Sequence, residues 1–315
     1  WLMRKLGATV DQLLSVELVT AEGEVVHASE TENLDLFWGV RGGGGNFGIV
    51  TDFEFRPVPV GPYVVAGPVF WAMEDAREVL RFYRDWVADC PDELMTIAVQ
   101  RRAPALPVVP PELVGRLVVA IVACYAGPVE HGERVVRPLK EFGSPVLDLC
   151  QPKPYLAHQR MFDPSFPHGW SYYVRSCDVA EIDDDVIDVI DVMVEHGRRI
   201  TSPITSIALW QMGGAVARVD ESATAFNGRK AGFTFNINGN SQTPDGFEAE
   251  RQWARDYWSA LGPHHTSVYV NFLMEEGEER VRQAYGADKY DRLKALKRKY
   301  DPTNFFRLNQ NIRPD

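Results

Sequence analysis

The sequence predicts an α+β protein in which helices cover one face of a largely antiparallel sheet. Two observations predict this class. Segments with the apolar patterns of strands occur in consecutive groups along the chain, and segments with apolar residues at helical spacing separate those groups. Such an order favours α+β packing over a doubly wound parallel sheet, in which each strand would be followed by its own helix.

The first sixty residues predict a small unit rich in strands. We expect strands over residues 13–20 and 25–28, joined by the turn chemistry of residues 21–24. Apolar and polar residues alternate over 49–55, which indicates one strand with a single buried face. Pro57 and Pro59 then end that strand, so we place a domain boundary between residues 57 and 63.

The middle of the chain alternates between helical and strand patterns without an exact repeat. Helices are predicted over residues 76–87, 128–142, 182–195 and 246–260, and strands over 94–102, 117–125, 172–179, 204–212, 215–219 and 232–238. Pro138 predicts a kink or an early end in the second of these helices. The tail predicts a short strand over 268–273 and helices over 277–284 and 288–299, the last of which ends before Pro302.

Composition and charge narrow the classes of function. The chain has 315 residues, of which 45% are hydrophobic and 24% charged, as in soluble globular proteins. Its net charge of −11 disfavours a nucleic-acid-binding protein, because such proteins usually present a basic surface. No apolar run reaches the roughly 18 residues that cross a bilayer, so we expect no membrane association and favour a soluble, cytoplasmic protein.

Cysteine and histidine spacing predicts no metal site. The four cysteines lie far apart and form no CxxC pair, which favours buried thiols over disulfides or a zinc centre. His264 and His265 are adjacent, so their side chains diverge on a strand, and packing in a loop is the better interpretation.

A glycine-rich loop at residues 41–48, Arg-Gly-Gly-Gly-Gly-Asn-Phe-Gly, is the strongest local signal. Four successive glycines allow a backbone to approach a planar ligand or a pyrophosphate closely. The loop is not a Walker A motif, and it is not a dinucleotide GxGxxG turn, because a strand follows it. Cofactor binding and tight packing of the turn both remain open on this evidence.

Two longer motifs carry a family resemblance. Residues 35–50, Asp-Leu-Phe-Trp-Gly-Val-Arg-Gly-Gly-Gly-Gly-Asn-Phe-Gly-Ile-Val, resemble a hallmark of the FAD-linked oxidases of the berberine-bridge-enzyme family. At the other end, Tyr285-Gly286, Tyr300-Asp301-Pro302, Asn304-Phe305-Phe306 and Asn309-Gln310-Asn311-Ile312 resemble that family's C-terminal motif. The opening residues 1–23 resemble the segment that follows the family's FAD-binding turn, so the resemblance covers nearly the whole chain.

The resemblance implies a split FAD-binding domain of the vanillyl-alcohol-oxidase type. Residues 1–60 and 281–315 would form part of that domain, and residues 61–280 would be an inserted substrate-binding domain. The chain contains no match to the family's upstream segment with a flavin-linked histidine. We therefore expect it to begin partway through the FAD-binding domain.

The implied activity is transfer of a hydride from a small organic molecule to FAD. The substrate would be an alcohol, sugar, polyketide or alkaloid-like molecule, with molecular oxygen or another acceptor reoxidising the flavin. The alternative is a truncated or degenerate relative that binds a small molecule without catalysis.

The resemblance also assigns residues. The backbone and side chains expected to approach FAD belong to Gly42, Gly43, Gly44, Gly45, Asn46, Gly48, Ile49, Val50, Asn309 and Asn311. Family members often carry a catalytic tyrosine at the fourth position of a Tyr-x-Asn-Tyr strand, whereas this chain reads Tyr269-Val270-Asn271-Phe272. A phenyl ring cannot be a general base, and strand alternation would point Tyr269 and Asn271 away from the side of Phe272.

Other polar residues on predicted strands are candidates for the missing function. The catalytic candidates are Tyr269, Gln211 and Tyr172, and the candidates for the substrate pocket are Phe272, Asn271, Arg175 and Asn236. A structural hydrogen bond is the competing interpretation for each of the polar candidates.

Overall fold

In a computed structural model, residues 1–182, 189–274, 277–308 and 310–315 are described. The first part of the chain forms a three-stranded antiparallel sheet with two short helices. The elements are α1 (Met3–Leu6), β1 (Leu13–Val19), β2 (Val25–Ser29), α2 (Leu34–Val40) and β3 (Ile49–Phe55), with a 3₁₀ turn at Thr9–Gln12. The strand order is β2-β1-β3, so the central strand is the one that the sequence places first.

A second, larger antiparallel sheet follows. Its strands are β4 (Tyr63–Ala72), β5 (Leu94–Arg102), β6 (Leu117–Tyr125), β7 (Leu147–Asp148), β8 (Gln151–Pro154), β9 (Ser171–Val179), β10 (Ser206–Gln211) and β11 (Phe233–Ser241). They lie in the order β7-β4-β6-β5-β10-β11-β9, and β8 also pairs with β4. All of these pairings are antiparallel, which confirms the predicted fold class.

Four of the longer helices cover one face of the larger sheet, two short helices lie near its other face, and two more form the tail. They are α3 (Ala76–Ala88), α4 (Val129–Glu141), α5 (Tyr155–Gln159), α6 (Val189–Arg198), α7 (Ala215–Arg218), α8 (Pro244–Ala260), α9 (Glu278–Tyr285) and α10 (Ala287–Tyr300). Part of the helix predicted over 182–195 lies outside the described residues. No helix in the described ranges is long and apolar enough to span a bilayer.

The main core lies between this sheet and α3, α4, α6 and α8. Side chains of alternate strand residues enter it, including Ile207 and Leu209 of β10 and Phe235 and Ile237 of β11. Because successive strand residues point to opposite faces, Trp210, Thr234 and Asn236 lie on the other face of the sheet. Towards β5 and β6 this second face carries apolar side chains, including Ile97 and Val122. Its part on β9 and β11 carries polar side chains, and we call that part the polar face.

A second core joins the two ends of the chain. Leu18 and Phe37 from the first part pack with Tyr290, Leu293 and other buried residues of the tail. Val268 and Leu273, which precede α9, belong to the same cluster. The first and last segments are therefore packed as one body.

The predicted strand over 215–219 is wrong. Gly213 and Gly214 have positive φ angles of 86° and 60°, which end the strand β10 and let the chain turn. The residues that follow form α7, whose Val216 is fully buried. A Cβ added to Gly214 would lie 2.4 Å from the carbonyl oxygen of Arg4, so α1 and α7 pack closely only because this residue is glycine.

The predicted strand over 268–273 is also wrong. Ser267 makes an isolated bridge to Asp178 of β9, and residues Val270–Phe272 then form a 3₁₀ turn. The chain leaves the sheet here because Val268 and Leu273 are buried in the core that joins the two ends.

Two other expectations need correction. Strand β3 has the predicted bounds, but its alternation does not produce a buried face. Ile49 and Phe53, on the apolar side of this edge strand, are 59% and 55% exposed. Pro138 does not end α4 early, since buried Leu139 keeps the last turn of that helix against the core.

Candidate functional site

The glycine-rich loop uses most of its glycines for packing. Gly42 has a φ of 127°, and a Cβ added there would lie 2.2 Å from the amide nitrogen of Phe226. Gly43 and Gly48 are buried in similarly close contacts, whereas Gly45 is exposed. Gly44 differs, because the nearest neighbour of an added Cβ, the Asn46 amide nitrogen, would be 3.8 Å away. Only this part of the loop opens towards a large cavity.

Asn46 ties the loop to the tail. Its Nδ2 donates to the carbonyl oxygens of Gly43 at 2.8 Å and of Gln310 at 3.2 Å, and its Oδ1 accepts from the amide of Ile312 at 3.0 Å. The buried Lys297 ammonium donates to the carbonyl oxygen of Asn46 at 2.9 Å. Through its side-chain hydrogen bonds to Gln310 and Ile312, Asn46 positions the tail.

Lys297 and Asp301 form a fully buried ion pair that supports this arrangement. The Lys297 Nζ lies 2.5 Å from Asp301 Oδ2. Burial by itself would raise the pKa of Asp301, but hydrogen bonds from Lys297 and from the amides of Phe305 and Phe306 outweigh it, and the pKa is lowered. The carboxylate therefore stays charged and holds the turn after α10.

A cavity of about 1010 Å³ lies beside the tail, and we call it the tail cavity. Its lining brings together several predicted residues: Gly44, Asn46, Asn311, Tyr172, Arg175 and Asn271. The Oδ1 atom of Asn311 is buried and has no hydrogen-bond partner among the described residues. Asn309, the other predicted tail residue, lies outside the described residues.

Tyr172 and Arg175 reach the tail cavity with their polar groups already engaged. The Tyr172 hydroxyl donates to the carbonyl oxygen of Pro167 at 2.6 Å. The Arg175 Nε donates to the hydroxyl of Tyr173 at 2.8 Å, and its guanidinium lies 5.2 Å from the ring centre of Trp258. These contacts give both residues a structural role.

A second cavity, of about 590 Å³, lies against the polar face of the larger sheet, and we call it the sheet cavity. It is lined by residues of α1, by the last residue of β3 and the three that follow it, and by the sheet residues Asp178, Trp210 and Thr234. Tyr269 and Phe272 also line it. The first part of the chain and the sheet thus close this cavity from opposite sides.

Tyr269 and Phe272 share this cavity because the segment is a turn. In a 3₁₀ turn residues i and i+3 lie on the same side, whereas a strand would place them on opposite faces. Their ring centroids are 5.2 Å apart and the rings are nearly perpendicular. The predicted separation of Tyr269 from Phe272 is therefore wrong. Asn271 donates to the Tyr269 hydroxyl at 2.6 Å.

Gln211 and Asn236 line neither of these two cavities. Gln211 is buried on the helical side of the sheet, where it accepts from Thr96 at 2.7 Å and donates to the Cys90 sulfur at 3.0 Å. Asn236 is buried on the polar face of β11, and Asn238 donates to its carbonyl oxygen at 3.3 Å. The predicted FAD-contacting residues Ile49 and Val50 also lie away from both cavities.

Asp178 was missed by the sequence analysis. It is 3% exposed, it lines the sheet cavity, and its carboxylate accepts hydrogen bonds from Thr234 at 2.6 Å and from Ser267. Burial raises the pKa of this carboxyl group, and the two hydrogen bonds only partly oppose the effect. A charged residue inside the strand sequence Ser-Cys-Asp-Val was the available signal.

Known proteins resemble both the sequence and the fold. The family model "Berberine and berberine like" matches residues 268–313. An FAD-linked oxidoreductase of Dictyostelium discoideum is 28% identical over 99% of this chain and 66% of its own length. The (R)-6-hydroxynicotine oxidase of Paenarthrobacter nicotinovorans is 28% identical over 100% of this chain and 68% of its own length. The chain thus spans about two thirds of these curated relatives.

A solved structure agrees over the whole chain. The crystal structure of 6-hydroxy-D-nicotine oxidase from Arthrobacter nicotinovorans matches with a TM-score of 0.84 at 24% identity, over 100% of this chain and 69% of that protein. The tail thus matches a berberine-bridge-like family domain, and relatives that match nearly the whole chain include an FAD-linked oxidoreductase. This confirms the predicted resemblance.

The residues around the tail cavity fit part of the cofactor of these FAD-linked oxidoreductases. A buried acceptor without a donor is unfavourable by about 1–3 kcal/mol, so the Asn311 amide oxygen fits a ligand that offers an N–H or O–H group. Flavin and ribityl groups offer both. The open side of Gly44 lines the same cavity, which leaves room for a ligand next to the loop.

Proposed function

We propose that this protein is an FAD-dependent oxidoreductase that removes a hydride from a small organic substrate. The observation that carries the proposal is the sheet cavity, which the N-terminal segment and the polar face of the larger sheet enclose beside Tyr269 and Phe272. Its volume of about 590 Å³ is within the range of small-molecule sites. Relatives named as oxidases of sugars and of hydroxynicotine support the substrate class, an alcohol, sugar, polyketide or alkaloid-like molecule.

In this function the chain has two parts, with the bounds that its resemblance to the family implies. Residues 1–60 and 281–315 contribute to FAD binding, and residues 61–280 contribute the substrate-binding sheet. The shared core of the two ends supports this division, with Val268 and Leu273 joining the same core from just before the boundary. When bound, FAD supplies the acceptor for two electrons and a hydrogen, and molecular oxygen or another acceptor reoxidises it.

Gly44 and Asn311 would hold the cofactor at the tail cavity. Asn46, Lys297 and Asp301 would act indirectly, because their hydrogen bonds fix the loop and the tail on which those two residues lie. The protein's own contribution is then to orient the substrate on the polar face of the sheet and to exclude water from it.

FAD binding tests this proposal directly. The purified protein, incubated with FAD and then freed of unbound cofactor by gel filtration, is expected to retain flavin absorbance. Asn311→Leu removes the amide that faces the cavity, and we expect it to weaken FAD binding about tenfold, since one hydrogen bond contributes about 1 kcal/mol or somewhat more. Gln252→Leu, on the exposed face of α8, is the matched control and should bind FAD like the wild type. A wild-type protein that retains no flavin contradicts the proposal.

Phe272 favours a second candidate function, a relative that binds a small molecule without catalysis. Its ring occupies the position at which family members often carry the catalytic tyrosine. Anaerobic mixing with a panel of alcohols and sugars separates the two functions. Loss of the oxidised flavin absorbance supports the oxidoreductase, whereas ligand binding without any such loss supports the non-catalytic relative.

A further inference from the structure

Asp178 occupies a chemically distinct position in the sheet cavity. Among the described residues that line the cavity, it is the only one with a carboxyl group. It lies at the end of β9, opposite Thr234 of β11, and close to the turn that carries Tyr269 and Phe272. The cavity therefore contains the acidic side chain of Asp178 near Phe272, the residue at the position where family members often carry a tyrosine.

The environment of the carboxylate fixes its position and leaves it able to accept a proton. Each carboxylate oxygen accepts one hydrogen bond, Oδ1 from the Thr234 hydroxyl and Oδ2 from the Ser267 hydroxyl. A carboxylate has about four lone-pair sites, so acceptor capacity remains. Gly228 leaves space next to Oδ2, because a Cβ added there would lie 2.9 Å from that atom.

Among the described residues, Asp178 forms hydrogen bonds with hydroxyl groups and no ion pair. Titratable groups on the elements around it include Cys177 of β9, Tyr269 after Ser267, Arg229 before β11, Arg280 of α9, and Arg56, Tyr155 and the amino group of Trp1 across the cavity. The Arg229 guanidinium is bound to both carboxylate oxygens of Asp11, at 3.0 and 2.6 Å. The hydroxyl donors of Thr234 and Ser267 are neutral, so they orient the Asp178 carboxylate without cancelling its charge.

We propose that Asp178 is the proton acceptor of the sheet cavity and takes the hydroxyl proton of an alcohol-type substrate. This inference rests on the proposed function. The O–H bond breaks, its proton moves to the Asp178 carboxylate, and its electron pair forms the second carbon–oxygen bond while a hydride leaves the carbon. FAD is the acceptor class for that hydride, so charge and electrons balance, and the carboxyl group afterwards returns its proton to solvent.

The raised pKa of Asp178 supports this role. A general base works best when its pKa approaches the pH of the reaction, and burial moves this carboxyl group in that direction. Phe272 cannot perform the step, because a phenyl ring has no ionisable group.

The first test uses the protein without cofactor and measures stability against pH. A carboxyl group with a raised pKa in the folded state contributes stability that is complete below its unfolded pKa of about 3.9 and is lost as pH rises through the folded pKa. Asp178→Asn removes this titration. The free energy of unfolding of the variant should therefore increase relative to that of the wild type as the pH rises above about 4. Exposed Asp52→Asn is the control and should track the wild type at every pH. If the difference between Asp178→Asn and wild type does not change with pH, the inference fails.

The second test uses protein loaded with FAD and measures anaerobic flavin reduction by a reactive alcohol or sugar. Asp178→Asn should bind FAD like the wild type and slow flavin reduction by about 10²- to 10⁴-fold, the usual range for a general base. Asp178→Glu should recover part of the rate of flavin reduction. The wild-type rate should fall at acid pH, whereas the rate of Asp178→Asn should not depend on pH.

The outcomes separate the inference from the proposed function. Retention of no flavin by the wild type contradicts the proposed function itself. If the wild type and Asp178→Asn both reduce flavin at the same rate, the proposed function stands and the role of Asp178 is refuted.

Discussion

At the level of single residues, position on the sheet separates two buried polar groups, Gln211, which the sequence analysis selected, and Asp178, which it did not. Trp210 pairs with Thr234, which pairs with Asp178, whereas Gln211 pairs with Phe233. A shift of one residue along a strand changes the face on which a side chain lies. Gln211 is therefore enclosed by Thr96 and Cys90 under the helices, and Asp178 faces a cavity.

The glycine loop offers a prediction at this scale. Gly42→Ala should lower the free energy of unfolding by about 2 kcal/mol or more, because its φ of 127° is unfavourable for alanine and the new Cβ would meet the Phe226 backbone. Gly262→Ala is the matched control, since an added Cβ there has no neighbour within 4 Å, and it should change stability little. Urea denaturation of both variants measures the difference. Equal stabilities would show that the loop does not depend on close packing at residue 42.

At the scale of elements, the helices attach to the sheet mainly through apolar contacts, with a few polar groups enclosed between them. Tyr83 of α3 and Tyr257 of α8 are both fully buried in the main core. The Tyr83 hydroxyl is 2.9 Å from the hydroxyl of Thr96. The Tyr257 hydroxyl has no hydrogen-bond partner within the described part of the chain, and burial holds its pKa well above the ordinary value.

These two tyrosines predict opposite responses to the same substitution. Tyr83→Phe breaks a buried hydrogen bond and leaves Thr96 with one partner fewer, so it should destabilise the protein by about 1 kcal/mol. Tyr257→Phe removes an unpaired hydroxyl and should be neutral or slightly stabilising. Thermal or urea denaturation gives both values. A loss at Tyr257 as large as that at Tyr83 would indicate that the Tyr257 hydroxyl has a partner in solution.

At the scale of the whole molecule, buried polar links connect the N-terminal segment to the sheet that forms the cavity. Arg229, which is 0% exposed, binds both carboxylate oxygens of Asp11, which is 10% exposed. Lys289 of α10 also reaches back to Glu221 and to the carbonyl oxygen of Phe226. The Arg229–Asp11 pair therefore joins the two walls of the sheet cavity, and the Lys289 contacts join the tail to the segment that precedes β11.

Breaking the Arg229–Asp11 pair should therefore affect the whole structure. Arg229→Met leaves the Asp11 carboxylate without its bidentate partner, and we expect a loss of about 3–5 kcal/mol in the free energy of unfolding. Arg199→Met removes an ion pair with Glu195 whose members are 60% and 59% exposed, and it should change stability by less than about 1 kcal/mol. Similar losses in the two variants would mean that the buried pair contributes no more than a surface pair.

The family resemblance, the main strands and the longer helices could be predicted from the sequence. Strands β5 and β6 have the predicted bounds, because their continuous apolar residues fit a fully buried strand and little else. The motifs at the two ends are local, so they could be recognised without knowing which residues they contact.

The places where polar groups meet depend on the packing of distant segments. The segment with Tyr269 and Phe272 has the pattern of a strand, yet burial of Val268 and Leu273 in the core of the two chain ends makes it turn. The same packing brings Ser267 to Asp178, which is 89 positions away in the sequence. It also brings Asn46 to tail residues that are more than 260 positions away. Local periodicity reports which face of an element is apolar, and it contains no information about which distant surface will cover that face.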